Sequence, residues 1–157
     1  MYCKHPRYKS PKKRGRRSKP VPYKWMHYLP LIPRLKRLYA SSRSAKHMRW
    51  HAENMRDPSV VYHPSDSEAY KHFDRKHPNF ALDPRNVRLG LCANGFNPFN
   101  NNDKPYSCWP IIVTPYNLPP KICMSAPYMF LTRLIPGPHN LKSRIDVYLQ
   151  PLIDELK

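Results

Sequence analysis

Asp83-Pro84-Arg85-Asn86-Val87-Arg88-Leu89-Gly90-Leu91-Cys92-Ala93-Asn94-Gly95-Phe96-Asn97-Pro98-Phe99 is the stretch from which the fold of this chain is read. Val87, Leu89 and Leu91 alternate with Arg88, Gly90 and Cys92, the period of two expected of a strand buried on one face. Ala93-Asn94-Gly95-Phe96 then predicts a sharp change of direction, because glycine accepts backbone angles closed to other residues. Asn-Gly also favours two-residue hairpins, but Phe96-Asn97-Pro98-Phe99 makes a poor immediate return strand, so a tight hairpin is not expected. Asn94 thus falls at the carboxyl end of a strand, where α/β folds gather functional groups such as metal ligands. It carries no charge, and its identity limits the chemistry that position can support.

Outward from this stretch the chain is β-rich on one side and helical on the other. Trp109 to Thr114, with Ile111, Ile112 and Val113, is stopped by Pro115, and Tyr128 to Ile135 is stopped by Pro136-Gly137-Pro138. With Val87 to Leu91 these predict three strands in an antiparallel meander with long connections. Ser143 to Leu156 follows as a helix with an apolar stripe of Ile145, Tyr148, Leu149, Leu152, Ile153 and Leu156, and Pro151 predicts a kink or a restart. Asp146, Asp154 and Glu155 read as the solvated side of that helix. Upstream, Ser65-Asp66-Ser67-Glu68 predicts a helix start with Ser65 and Glu68 as a capping box, ending near Lys76 before Pro78. Leu35, Leu38 and Tyr39 predict another helix, and Ser44 to His51 a short one with Met48 as its apolar contact.

The expected fold class is therefore mixed α/β: a basic helical or irregular N-terminal half, then three antiparallel strands and one helix. Three segments are expected, a basic disordered tail over residues 1–20, a proline- and aromatic-rich helical segment over 21–82, and an incomplete strand-strand-strand-helix unit over 83–157. Three strands and one helix make a thin core.

Charge is distributed unevenly. The 157 residues carry a formal charge of +18, yet residues 1–50 hold 16 of the 28 Lys and Arg and no acid, while the other 12 basic residues face all 10 acids. A basic arm on a nearly balanced body suits a polyanionic partner. Lys12, Lys13, Arg14, Arg16, Arg17 and Lys19 form the densest run and read as a phosphate-binding arm, a nuclear import signal or simply a solvated run. Arg34, Lys36 and Arg37 add cations on the first helix. Tyr23, Trp25 and Tyr28 interleave with basic residues, as in surfaces that pair phosphate contacts with base stacking, although Trp25 and Trp50 are expected to pack against the rest of the chain.

Several functional classes find no motif. No glycine-rich phosphate loop, Gly-x-Ser-x-Gly elbow or His-Glu-x-x-His helix is present, and the eight histidines lack zinc-ligand spacing. Twenty prolines against four glycines suggest rigid connections rather than flexible linkers. No apolar run is long enough to span a membrane, and the charges from Lys4 onward do not suit a secretory signal. Cys3, Cys92, Cys108 and Cys123 form no Cys-x-x-Cys pair, which suits free thiols in a reducing compartment.

Taken in order, a series of runs resembles the transposase family of plant CACTA (En/Spm-type) DNA elements. They are Tyr28-Leu29-Pro30-Leu31-Ile32-Pro33-Arg34-Leu35, Met48-Arg49-Trp50-His51, His63-Pro64-Ser65-Asp66-Ser67-Glu68-Ala69, Asp83 to Leu91, Gly95-Phe96-Asn97-Pro98-Phe99, Pro115-Tyr116-Asn117-Leu118-Pro119-Pro120, Leu134-Ile135-Pro136-Gly137-Pro138, and Ile145 to Leu156. The resemblance covers about residues 20 to 157. It implies a ribonuclease H-like catalytic region that cuts and joins DNA with Mg²⁺ or Mn²⁺, using carboxylates to hold two cations about 4 Å apart. The family's first catalytic Asp is expected immediately before the Gly-Phe-Asn-Pro-Phe run, the position of Asn94 here. The family's remaining acids are expected beyond the last helix, and Cys3 to Lys9 resembles the tail of a Cys-x-x-Cys knuckle lacking its first cysteine.

What the resemblance implies is a catalytically inactive, transposon-derived transposase fragment, nuclear, with no metal site or cofactor of its own and residual non-specific DNA binding through the basic N-terminal region. The alternative is a small basic nuclear nucleic-acid-binding protein without enzymatic activity. Oligomeric state is not set by either reading.

Overall fold

The β-rich runs assemble into one sheet in the computed structural model, which describes residues 6–10, 19–54, 57, 59–99, 106–137 and 145–157. In chain order the elements are β1 (His27–Tyr28), α1 (Ile32–Ala40), α2 (Ser42–Ala45), α3 (Trp50–Glu53), α4 (Glu68–Lys76), α5 (Pro78–Ala81), β2 (Leu89–Ala93), β3 (Trp109–Pro115), α6 (Pro120–Cys123), β4 (Phe130–Ile135) and α7 (Ile145–Glu155). Single 3₁₀ turns at His47–Arg49, Pro64–Asp66 and Ala126–Tyr128 link them. No helix among the described residues is long and apolar enough to cross a membrane.

The class is mixed α/β, as expected, and β2, β3 and β4 form the expected antiparallel meander. The sheet has one strand more than expected. Its order is β1-β4-β3-β2, with His27 opposite Leu134 and Tyr28 opposite Arg133, so the proline-rich N-terminal segment contributes an edge strand. A two-residue strand leaves too little periodicity to be seen in sequence.

β2 begins at Leu89 rather than Val87. The Arg88 amide is taken by the Asn117 side chain at 2.9 Å, while its carbonyl already accepts from Tyr116 N at 2.8 Å. Two features depart from the simple alternation. Arg88, expected toward solvent, is only 7% exposed, and Leu91, on the same side as the buried Val113, is 52% exposed because β2 is an edge strand.

One face of the sheet meets α1 and α7. Leu31 and Leu35 pack with Ile111, Val113, Phe130, Ile135 and Leu152 in the main apolar cluster, flanked by Ile145, Tyr148 and Leu149 of α7. A second cluster gathers Met48, Leu118 and Cys123 against Leu38 and Val87. The apolar stripe read from residues 145–156 is thus partly a core stripe, and α7 continues through Pro151 without restarting.

Two caps differ from expectation. Ser67, not Ser65, caps α4, accepting from Tyr70 N at 3.3 Å. The capping box lies one turn earlier, on the Pro64–Asp66 turn: His63 Nδ1 accepts from Ser65 N and Asp66 accepts from His63 N at 2.9 Å. The second concerns Glu155, which is not a solvated residue. Leu31 offers no side-chain cap to α1, and the Glu155 carboxylate supplies one, accepting from Leu31 N and Ile32 N at 2.8 Å each and from the Tyr28 hydroxyl. An anion at the positive end of a helix is favourably placed. Burial acts to raise the Glu155 pKa, but the hydrogen bonds from Tyr28, Ile32 and Leu31 outweigh it and hold the carboxyl below its usual range. The Tyr28 hydroxyl is pushed up to about 12, by burial first and then by Glu155.

Glu155→Ala is expected to lower the unfolding free energy by about 2 kcal/mol, from lost charge-assisted bonds and an uncapped helix. Glu155→Gln, which keeps one acceptor oxygen, should cost less. Because the folded pKa is depressed, the carboxylate's contribution is fully present above the ordinary Glu value of about 4.3 and disappears as pH falls through the lowered one. Denaturant titrations should therefore show wild type and Glu155→Gln converging below that pH; a constant gap would remove Glu155 as the cap.

Candidate functional site

Asn94 is the first residue beyond β2, after Ala93 pairs with Ile111. It is exposed. The sharp change of direction expected at Asn94-Gly95 does not occur. Phe96 and Cys108 exchange two backbone hydrogen bonds of 2.9 and 2.8 Å, so the chain resumes antiparallel pairing with the residues leading into β3. Gly95 is required by close approach instead. A Cβ there would come within 2.6 Å of the Trp109 ring and 2.7 Å of Ser107 Oγ, and its φ lies outside the left-handed region. The interruption leaves Asn94 exposed between two paired segments.

Carboxylates do not gather around it. Among the described residues, no three His, Cys, Asp or Glu side chains lie close enough to share a metal ion. Asp74 pairs with Arg88, Glu68 with Lys71 and Arg75, and Asp154 with Lys157. Asp83 pairs with Arg85, whose hydrogen bonds lower its pKa to about 2. Two divalent cations need several anionic oxygens, and one amide oxygen does not meet that demand. The described residues do not fit a two-metal centre.

The sequence-predicted cations separate into three groups. Lys12, Lys13, Arg14, Arg16 and Arg17 lie outside the described residues, as does Cys3. Lys19 is described and exposed, as are Lys36 and Arg37 on α1. Arg34 is committed to the fold: it donates to the carbonyls of Pro30 (2.9 Å), Leu131 (2.8 Å) and Leu29 (2.6 Å) and lies 5.3 Å from the Phe130 ring. Burial lowers its pKa. Residues 6–10 do not run as a lone tail. Lys9 N donates to Val21 O at 2.9 Å, Tyr23 N donates to Arg7 O at 3.0 Å, and Tyr8 faces Pro22 across an antiparallel bridge. Trp50 packs edge-on against His63 at 5.1 Å, but Trp25, expected to pack, is 60% exposed. Cys92, Cys108 and Cys123 are free thiols.

Two residues of structural weight were not singled out from the sequence. Asn117, fully buried, accepts from Arg88 N and donates to Asn86 O at 2.9 Å, while its own carbonyl accepts from His51 N at 3.3 Å. Arg88 reaches Asp74 at 2.6 Å and its guanidinium lies over the rings of Tyr70 and Phe80, 5.1 and 5.2 Å from their centroids. The signal was present in the Asp83–Arg88 and Pro115–Pro120 runs, which meet here. An open apolar groove of about 400 Å³, walled by Tyr70, Phe73, Leu89 and Leu156, lies beside them.

A protein-family model described as transposase family tnp2 matches residues 58–157. No curated protein and no solved structure gives a match.

The geometry separates Asn94 from its neighbour in effect. Asn94→Ala should change stability by less than about 0.5 kcal/mol, as surface substitutions do. Gly95→Ala should cost about 1–3 kcal/mol, because the added methyl must displace the Trp109 ring. Equal effects in chemical denaturation would contradict the contact assigned to Gly95.

Proposed function

The chain belongs to the tnp2 transposase family, and we propose that it is a catalytically inactive descendant of a plant CACTA-type transposase that keeps a non-specific hold on DNA. Its origin in a transposon-encoded transposase follows from the family. The finer reading, a ribonuclease H-like region of the CACTA kind acting in the nucleus, is supported by the ordered sequence runs and by the antiparallel meander with a helix packed on it.

One observation carries the loss of catalysis: an uncharged, exposed Asn94 stands where the resemblance expects the first metal-binding Asp. Without that charge the strand end has little means of gathering two dications. No cofactor is assigned to this chain. The hold on DNA rests on the 16 basic residues and no acids within residues 1–50. That same charge favours the second reading, a small nuclear nucleic-acid binder that never depended on the strand end.

With Mg²⁺ or Mn²⁺ the purified chain should neither nick nor join DNA above a mock preparation, and Asn94→Asp alone should not restore activity. Metal-dependent strand transfer by either protein would overturn the inactive reading. If about five cations engage duplex phosphates, log affinity should fall with log salt at a slope of about −4 to −5. A flat salt response would remove the hold on DNA.

A further inference from the structure

The paired N-terminal segments carry a feature that bulk charge does not explain. Residues 6–9 and 21–24 form an antiparallel ribbon, held by the Lys9–Val21 and Tyr23–Arg7 backbone bonds. An open hollow of about 340 Å³ lies on it, lined by Pro6, Arg7, Tyr8, Pro22, Tyr23 and Lys24. Two tyrosines, two prolines and two basic residues therefore line one concavity, and no acidic residue is among them. Tyr8 is 50% exposed and Tyr23 48% exposed. Immediately beyond, Trp25 presents another exposed ring, held edge-on by His27 at 4.5 Å.

We propose that this ribbon is a binding site for unpaired nucleotides of single-stranded DNA. The proposal rests on the reading that the N-terminal region engages DNA, and it adds a mode and a preference to that reading. Phosphates of a duplex would satisfy Arg7 and Lys24 alone, because bases stacked inside a helix offer no faces to side chains. An unpaired base does offer a face. It can stack on the Tyr8 ring while its phosphate meets the guanidinium or ammonium group beside it. The proline rings give the hollow stiff apolar walls, so little conformational freedom is lost on binding. Pro22 sits opposite Tyr8 on a short exposed ribbon, where its missing N–H costs no ladder bond. Trp25, one residue beyond the lining residue Lys24 and 60% exposed, offers a further ring for a neighbouring base. An acidic peptide would also answer the charge, but it would make no use of the clustered rings.

The test uses the full chain with a labelled 15-nucleotide oligo-dT and a 15-base-pair duplex, each titrated by fluorescence anisotropy. Tyr8→Ala should weaken oligo-dT binding about ten-fold and leave duplex binding within two-fold, and Tyr8→Phe should retain wild-type affinity for both. Oligo-dT should quench tryptophan emission, and Trp25→Phe should abolish that quenching while leaving the signals of Trp50 and Trp109. Equal losses on both DNAs, or no loss on either, would overturn the ribbon site while leaving general DNA binding intact. Binding to neither DNA would overturn both the site and the reading beneath it. A polyglutamate peptide of equal charge that displaced oligo-dT as well as unlabelled oligo-dT does would assign the surface to acidic peptides instead.

Discussion

Asn117 fixes the register on which the rest of the sheet depends. Its amide oxygen holds the Arg88 amide, its amide nitrogen holds the Asn86 carbonyl, and its own carbonyl receives His51 N. The Asp83–Arg88 run is thereby clamped to the chain leaving β3 before the first β2 pair forms. With Leu89 set opposite Pro115, every later pair follows, down to Ala93 opposite Ile111. A slip of one residue would turn Leu89 to the other face and move a different side chain to the strand end. Because Asn117 is fully buried, losing it would leave several polar groups without partners in a dry interior, a heavier cost than the bonds alone. The position of Asn94 is therefore decided about twenty residues away, by a side chain with no part in chemistry.

Charge in this chain is not all available to a partner. Arg133 is fully buried in the sheet, donating to the Tyr148 carbonyl and lying 4.6 Å from the Tyr28 ring, and burial lowers its pKa. A lone guanidinium in such a place is costly, and the π-face of Tyr28 together with the nearby Glu155 offsets part of that cost. Arg34 joins β4 to the entry of α1, and Arg88 lies close to two rings. These three cations tie helices to the sheet. The formal +18 thus overstates the charge that any polyanion can meet, and the excess that remains is concentrated before β1.

How much of this was legible follows from the range of each interaction. β3 and β4 were readable because apolar β-branched runs end at prolines, which is local information. β1 was not, because two residues become a strand only through Leu134 and Arg133. Glu155 falls on the polar side of its helix by periodicity, and its true partners are 123 and 124 residues away. Gly95 reads as a turn in sequence because nothing local reveals the Trp109 ring that excludes a Cβ. The α4 start reads two residues early because Ser65 and Ser67 offer the same cap, and only the buried His63–Ser65 contact decides between them. Asn94 is legible as a strand end from periodicity, but its match to a catalytic Asp comes only from the resemblance.

The difference between Asn94 and its surroundings also explains how a recognisable motif can outlast its chemistry. Gly95 is pressed against Trp109, Arg88 is held by Asp74 and two rings, and Asn117 anchors the register. Each of these is constrained by packing whether or not the protein cuts DNA. Asn94 is exposed and is held by no such contact. On the inactive reading, replacing a carboxylate there by an amide removes a charge that only metal ions need. Selection on folding would retain the sequence run on both sides of that residue while leaving the residue itself free to change. The N-terminal ribbon precedes β1, which stands at the other edge of the sheet order from β2. On the proposed reading, strand-end chemistry and a hold on DNA therefore draw on different parts of the chain, so the two properties can part company.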